Sequence, residues 1–227
     1  MTAPTVLTLS RTDRAWITAG PAALGLALAL LLPPAARLLL DLGTPLPFGF
    51  VVKAVARVDV AWELGVQAAL LIAAGLLTSA VILRQVTRVT VAGDEVELRT
   101  GDERRSIPRD AIGALYPERD ALVVLDHDSR QMFHGEPGAS RERLRVAFRE
   151  HGYPWHDADP FAGLYHRWAP ETGTVPIEVE AVLSARAVAL RKKAGKEAGE
   201  LRDSLQRLGY AVRDEGGQQF WRPLVRQ

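Results

Sequence analysis

The sequence predicts a membrane α-helical hairpin followed by an α+β soluble part, and three observations carry that prediction. Two long apolar segments, Ala15 to Leu32 and Ala61 to Leu83, are each about as long as the roughly 20 residues a helix needs to cross a bilayer. After Arg84 the hydrophobic period changes from helical to alternating, as expected of half-buried strands. From Pro176 onward helical spacing returns, and the chain closes on a β-hairpin pattern. The expected domains are residues 1–85, a tail and a hairpin with helices over about 15–40 and 60–84; 86–155, strands closed by a helix; 156–175, an aromatic linker; and 176–227, a helix-helix-β-hairpin module.

Composition agrees with this division. Without the hairpin, a chain of 227 residues still leaves enough for two modest modules. The net charge of +1 averages a nearly uncharged hairpin with a part rich in Arg, Asp and Glu, so it says little about partners. There is no cysteine, which excludes disulfides, thiol nucleophiles and cysteine-ligated zinc.

The first apolar segment begins after Arg11 and Arg14, and Pro33 and Pro34 are expected to end or kink it because neither supplies a backbone donor. A signal peptide is the competing reading. Its apolar region would be shorter and followed by a small-residue cleavage pattern, which favours an uncleaved anchor here. The second segment is interrupted only by Glu63 and Gln67 near its start, where they suit a membrane interface. Arg11 and Arg14 precede the hairpin, and Arg84, Arg88, Arg99, Arg104 and Arg105 follow it, against Lys53 and Arg57 in the connecting loop. Because positive charge stays inside, both termini of this multi-pass cell-membrane protein are expected in the cytoplasm. Small residues recur every fourth position at Ala19, Ala23 and Ala27 and at Ala61, Gly65, Ala69 and Ala73. Such stripes let helices approach closely, within a hairpin or in a helix-mediated homo-oligomer. An alanine-rich chain also produces them by composition alone.

Short strands follow. Val86, Arg88 and Thr90 interleave with Thr87, Val89 and Val91; Val96 and Leu98 alternate with Glu95, Glu97 and Arg99; and Leu122 to Leu125 is a buried-looking run. Turn signals separate them at "AGDE", "TGDERR", "PERD" and "DHDSR". A helix then presents Leu144, Ala147 and Phe148 on one face and stops near Gly152. Antiparallel strands closed by one C-terminal helix describe a pleckstrin-homology (PH)-like β-barrel, and over about Val86 to Trp155 the chain resembles the bacterial PH-like domain of YqeB-like membrane proteins. A PH-like barrel invites a lipid-headgroup site, with Arg99, Arg104, Arg105 and Arg109 as the lipid-facing basic cluster. The plainer reading is stronger: these arginines orient a tethered domain against anionic lipid, and Asp94, Glu95, Glu97, Asp102, Glu103 and Asp110 dilute the patch.

The linker mixes Pro and Gly with Trp155, Phe161, Tyr165 and Trp168, an aromatic density that predicts packing against a neighbour. His151, His156, Asp157, Asp159 and His166 also cluster there, but no pair has the one-face helical spacing of a zinc motif. No metal or other cofactor is expected.

In the last module, Val179, Val182, Leu183 and Leu190 mark one helix, Ala198, Leu201, Leu205 and Leu208 a second, and Gly209 a stop. Tyr210 to Arg213 and Gln219 to Arg222 flank the turn "DEGG". This unit resembles the C-terminal domain of cysteinyl-tRNA synthetases on Arg186, Ala189, Ala198, Arg202, Asp203, Leu205, Leu208, Gly209, Asp214, Trp221 and Arg222. It departs from that pattern at Leu190, where the family has a second arginine, and at Gly199, where it has an acidic residue. The resemblance raises RNA as a partner, and the module's excess of positive charge offers Arg186, Arg191, Lys192, Lys193, Lys196 and Arg202 as candidate residues for binding RNA or another partner. The alternative is a solvated helical face with local ion pairs, such as Glu197 with Lys193 or Asp203 with Arg207. Trp221 is expected in the core. The synthetase's catalytic domain has no counterpart, so aminoacylation is excluded. The same combination of membrane helices, PH-like barrel and terminal module is what the YqeB-like resemblance implies.

Catalytic patterns are lacking: no Gly-rich loop follows a strand, and no serine sits in a Gly-x-Ser-x-Gly elbow. Asp126, His127 and Asp128 read as a turn, where Asp bonds its own backbone. The expected function is therefore a non-catalytic membrane protein that scaffolds an unidentified protein partner at the cytoplasmic face. The alternative is a membrane-tethered RNA (tRNA) binding protein acting through the terminal basic module.

Overall fold

The computed structural model describes residues 3–41, 61–170 and 173–226. Lys53, Arg57 and the loop that carries them lie outside the described residues, as does the side chain of Ala61. The chain forms two compact units, one made of residues 8–87 with 100–102, the other of 1–7, 88–99 and 103–227.

The first unit is a pair of helices, α1 (Arg11–Asp41) and α2 (Ala61–Gln85). Ser10 caps α1, its Oγ accepting from the Asp13 amide at 3.0 Å and its carbonyl from the Arg14 amide at 3.0 Å. Of the two outcomes expected at Pro33 and Pro34, an end or a kink, the end does not occur: the helix continues through both, and through Pro21, to Asp41. Proline removes one backbone bond per position, and an apolar helix packed along a neighbour tolerates that loss. Both helices are long and apolar enough to cross a membrane.

Their contact uses small residues, on a stripe other than the expected one. Gly25, Ala29, Pro33 and Ala36 are buried, whereas Ala19, Ala23, Ala27, Gly65, Ala69 and Ala73 are exposed. Ala19 and Gly25 are six residues apart, about 240° around a helix, so spacing alone could not choose between their stripes. A Cβ on Gly25 would overlap the Leu71 carbonyl, and one on Gly75 the Pro21 carbonyl, so the backbones meet directly at these two points. Ser79 is buried beside them and its Oγ donates to the Gly75 carbonyl at 3.0 Å.

In the second unit, β1 (Thr5–Leu7), β2 (Thr87–Val91), β3 (Glu95–Thr100) and β4 (Glu103–Pro108) form one sheet in sequence order. A second sheet is β5 (Ala114–Glu118), β6 (Ala121–Leu125) and β7 (Gln131–Gly135). The expected closed PH-like barrel is corrected to two antiparallel sheets; among the described residues no strand pairing joins them. After β4 the chain turns through a 3-10 segment, Arg109–Ala111, and begins a new sheet instead of extending the old one. The core between them takes Val89, Val91, Val96, Leu98 and Ile107 from the first sheet and Leu115, Leu122 and Val124 from the second. Helix α3 (Arg141–Glu150) closes it with Leu144, Ala147 and Phe148, and Trp155 stacks on Phe148 at 5.7 Å.

Strand β1 carried no sequence signal, because three residues are too few to establish alternation. Thr5, Val6 and Leu7 pair antiparallel with Val91, Thr90 and Val89. Leu7 is buried and Thr5 Oγ1 lies 3.0 Å from His151 Nε2. The strands that precede and follow the helical pair in sequence are therefore paired with each other.

The last part contains β8 (His166–Arg167), α4 (Ile177–Arg191), α5 (Gly195–Arg207), β9 (Tyr210–Glu215) and β10 (Gln218–Pro223). Its sheet order is β8-β10-β9. Gly216 and Gly217 take φ values of +58° and +76°, the conformation a two-residue hairpin turn requires. Val175, Val179, Leu183, Leu205 and Val212 form its core, with Trp168, Val182, Tyr210 and Trp221 packed around them. Trp221, expected inside, is half-buried; the fully buried side chain is its neighbour Arg222, 1% exposed. The linker aromatics do pack: Trp155 into the first core, Phe161 against Ala114, Tyr116, Val123 and Leu125, and Trp168 onto the terminal core.

Candidate interaction surfaces

Period-two alternation gives the β9–β10 hairpin two faces. Tyr210, Val212, Asp214, Gln219 and Trp221 share the face turned to α4 and α5, and Ala211, Arg213, Phe220 and Arg222 the other. On the first face sits Arg186, only 5% exposed. Its Nη1 and Nη2 donate to Asp214 Oδ1 and Oδ2 at 2.6 and 2.7 Å, Nη1 also to Gln219 Oε1 at 2.8 Å, and Nε to the Ala198 carbonyl at 3.2 Å. Gln219 Nε2 in turn donates to the Leu183 carbonyl at 3.0 Å. Arg186 thus ties both helices to the hairpin. Its place could have been read from spacing, since it continues the Val179 and Leu183 stripe.

The other expected basic residues separate from it. Arg191, Lys192, Lys193 and Lys196 are exposed around the α4–α5 turn, where Lys193 takes φ +57°. Arg202 is partly buried and its Nε lies 3.5 Å from Asp203 Oδ1. A groove of about 570 Å³ runs beside this turn, lined by Arg167, Trp168, Pro170, Ala187, Leu190 and Arg191, with Gln218 and Gln219 of β10 and Asp214, whose carboxylate is paired with Arg186. Two guanidinium groups beside an indole suit an anionic, planar ligand. Sequence reasoning missed Arg167 and Trp168 as groove residues, since only folding brings the linker onto α4.

On the PH-like side, Arg99 is exposed on β3. Arg104 pairs with Glu97 at 2.9 Å, and Arg105 donates to the Met132 carbonyl. Arg109 donates to the carbonyls of Gly152 and Gly93 at 2.7 and 3.3 Å and lies over the Tyr153 ring. Three of the four expected lipid-facing arginines therefore spend donors on the protein itself.

The terminal module is docked to β5–β7 through groups with no sequence signature. Arg222 Nη1 and Nη2 donate to the Oγ and carbonyl of buried Ser129 at 2.9 and 3.0 Å, and the Val225 amide donates to the same Oγ at 2.9 Å. Its guanidinium lies 4.5 Å from the Phe161 ring centre and 5.4 Å from that of Tyr165. Burial raises the Tyr165 phenol above its ordinary pKa, which keeps the ring neutral under two arginines, Arg222 and Arg213. Gln206 caps the β7 edge, accepting from the Gln131 amide and donating to its carbonyl at 3.4 Å. Ser129 is held in place by the preceding turn, where Asp126 Oδ1 accepts from the amides of Asp128 and Arg130 at 2.9 and 2.8 Å. Asp126, His127 and Asp128 thus form the turn the sequence suggested. A cleft of about 520 Å³ beside the dock is lined by six carboxylates, Glu118, Asp120, Glu136, Asp159, Asp214 and Glu215, together with Arg119, Arg213, His134 and apolar side chains.

Residues 172–222 match the family model of the cysteinyl-tRNA ligase anticodon binding domain. The uncharacterized protein YqeB of Bacillus subtilis (strain 168) is 30% identical over 150 residues, which cover 66% of this chain and 62% of that protein. The chain thus spans less than two thirds of the relative's length. No solved structure matches significantly. The model of the YqeB-like bacterial PH domain matches residues 5–156, from the first residue of β1 through both long helices to the segment after α3. That is more than half of the chain, and the chain belongs to the family of YqeB-like bacterial PH domain proteins.

Proposed function

We propose that this chain is a non-catalytic, membrane-anchored scaffold whose paired helices cross the bilayer and whose soluble modules, joined as one body, meet a protein partner at the cytoplasmic face. The observation that carries the anchor is the outward face of the two helices. Leu24, Leu26, Leu28, Leu30, Leu31, Leu32, Leu70, Leu76 and Leu77 are all exposed, where the core helix of a soluble protein would bury them. Pairing of β1 with β2 supports a two-pass hairpin, because both flanking strands must lie on one side of the membrane to meet. The Lys and Arg distribution supports the cytoplasm as that side. Carbonate extraction of membranes holding the full chain tests the anchor: the chain stays with the lipid, and release into the wash overturns it.

A second reading, a tethered RNA binder, is favoured by the match to the anticodon binding domain and by the groove that Arg167, Trp168 and Arg191 line together. It requires binding that falls steeply with salt and that Arg191→Glu, Lys192→Glu, Lys193→Glu and Lys196→Glu together abolish. Full chain in detergent, titrated with folded tRNA at two salt concentrations, separates it from the scaffold reading.

A further inference from the structure

Among the described helices of the soluble body, α4 has an unusual outward face. Helix α3 exposes Arg141, Glu142, Arg143 and Arg149 around one isolated apolar residue, Val146, and α5 exposes Lys196, Glu197, Glu200, Asp203 and Arg207, as solvated faces do. Helix α4 exposes Ile177, Ala181, Ala185 and Val188, spaced so that they share one stripe, while Val179, Leu183 and Arg186 face its own core. Ile177 is 79% exposed and Val188 38%. An uncharged apolar stripe opposite the core-facing one is surface that a partner helix can cover.

We propose that a second copy of this chain covers it, with the two α4 helices antiparallel about a twofold axis near Ser184 and Ala185. The charges at the ends of the stripe are complementary under that operation. Glu178 stands at its start and Lys192 just past its end, both exposed and equally far from Ala185, so each glutamate meets the lysine of the other copy. Ala181 then faces Val188, also twice. The central Ala181, Ser184 and Ala185 are small enough to allow the close axial distance, about 8 Å, of tightly packed helices.

Other occupants fit less well. An anionic lipid surface would repel Glu178, and it favours large apolar and aromatic side chains over alanine. A nucleic acid would meet no exposed cation along the stripe before Arg191. One helix face falls short of the roughly 800 Å² per partner of a standard interface, so pairing depends on both copies sharing a membrane, which raises their effective concentration. In that respect the proposal rests on the anchor proposed above.

The chain has no cysteine, so single substitutions report cleanly on this contact. In membranes holding the full chain, Ala185→Cys should form a disulfide-linked dimer under mild oxidation, and Ala181→Cys co-expressed with Val188→Cys a mixed one. Glu200→Cys, on the outer face of α5, should not. In the Ala185→Cys background, Glu178→Lys or Lys192→Glu should each lower the dimer yield about two- to fivefold, and the two together should restore it. An Ala185→Cys yield no higher than that of Glu200→Cys overturns the pairing, as do single reversals without effect or a double reversal without rescue. Carbonate extraction of the same membranes reads the anchor separately, so the two ideas fail in different measurements.

Discussion

Replacing Arg186 with alanine should loosen the whole terminal module, because its guanidinium joins α4 to α5, β9 and β10 at once. Four hydrogen bonds go: two to Asp214, one to Gln219 and one to the Ala198 carbonyl. Removing one partner of a buried ion pair costs about 3–5 kcal/mol, chiefly through the charge left behind. Asp214 is 39% exposed and water can take over part of its solvation, which puts the cost near the lower end, about 3 kcal/mol. In a body of this size each kcal/mol moves Tm by roughly 2–4 °C, so the shift should be roughly 6–12 °C. Thermal unfolding of the full chain in detergent, read by near-UV circular dichroism, reports it. Arg186→Lys keeps the charge without the two-pronged geometry and should fall between wild type and Arg186→Ala. Exposed Arg191→Ala should stay within about 0.5 kcal/mol of wild type. An Arg186→Ala protein that melts with wild type and loses only RNA affinity would refute the reasoning and return Arg186 to the surface set.

Gly75→Leu should drive α1 and α2 apart, since its Cβ would meet the Pro21 backbone, which cannot yield as a side chain can; Ala69→Leu on the exposed stripe should not, and spin-label distances between the helices distinguish them. Trp221→Ala should cost roughly 2–3 kcal/mol, below the 3–5 of a fully buried ring, because this indole is half-buried; chemical denaturation of the full chain in detergent measures it. Deleting residues 3–7 removes β1 and the buried Leu7, and should cost at least the 1.5–3 kcal/mol of that side chain, roughly, seen as faster amide exchange in β2. Partial burial beside the cleft holds the His134 imidazole below its ordinary pKa, although Glu118 lies 3.5 Å away and acts in the opposite sense. The unfolded chain therefore takes up the proton more readily, so this stability is present above the unfolded value, about 6.5, and is lost as pH falls through the folded value. His134→Gln should flatten the acid side of a plot of Tm against pH.

What could be read from the sequence was whatever shows in a local pattern. Apolar length marked α1 and α2, helical spacing α3, α4 and α5, alternation β2 and β3, and a continuous apolar run β6. Strand β1 escaped because three residues establish no period, and its partner lies more than eighty residues away, beyond both helices. The open form of the PH-like sheets escaped because closure depends on how the chain leaves β4, a choice made by the 3-10 turn at Arg109–Ala111. In the terminal module, counting charges placed Arg186 with Arg191 and Lys193, although its helical phase sets it on the core stripe. The dock between modules could not have been found this way at all. Ser129 meets Arg222 and Gln131 meets Gln206, each across more than seventy residues, and nothing in the local pattern of either partner points to the other.

The central proposal is a two-pass hairpin whose flanking strands meet on one side of a membrane. Single cysteines at Val6, Gly49 and Arg226 of the full chain, treated in intact cells with a membrane-impermeant maleimide, test it most directly. Gly49→Cys should be labelled from outside, while Val6→Cys and Arg226→Cys should react only after lysis. Equal labelling at all three positions would contradict spanning, and different access at Val6 and Arg226 would contradict the pairing of β1 with β2 across the hairpin.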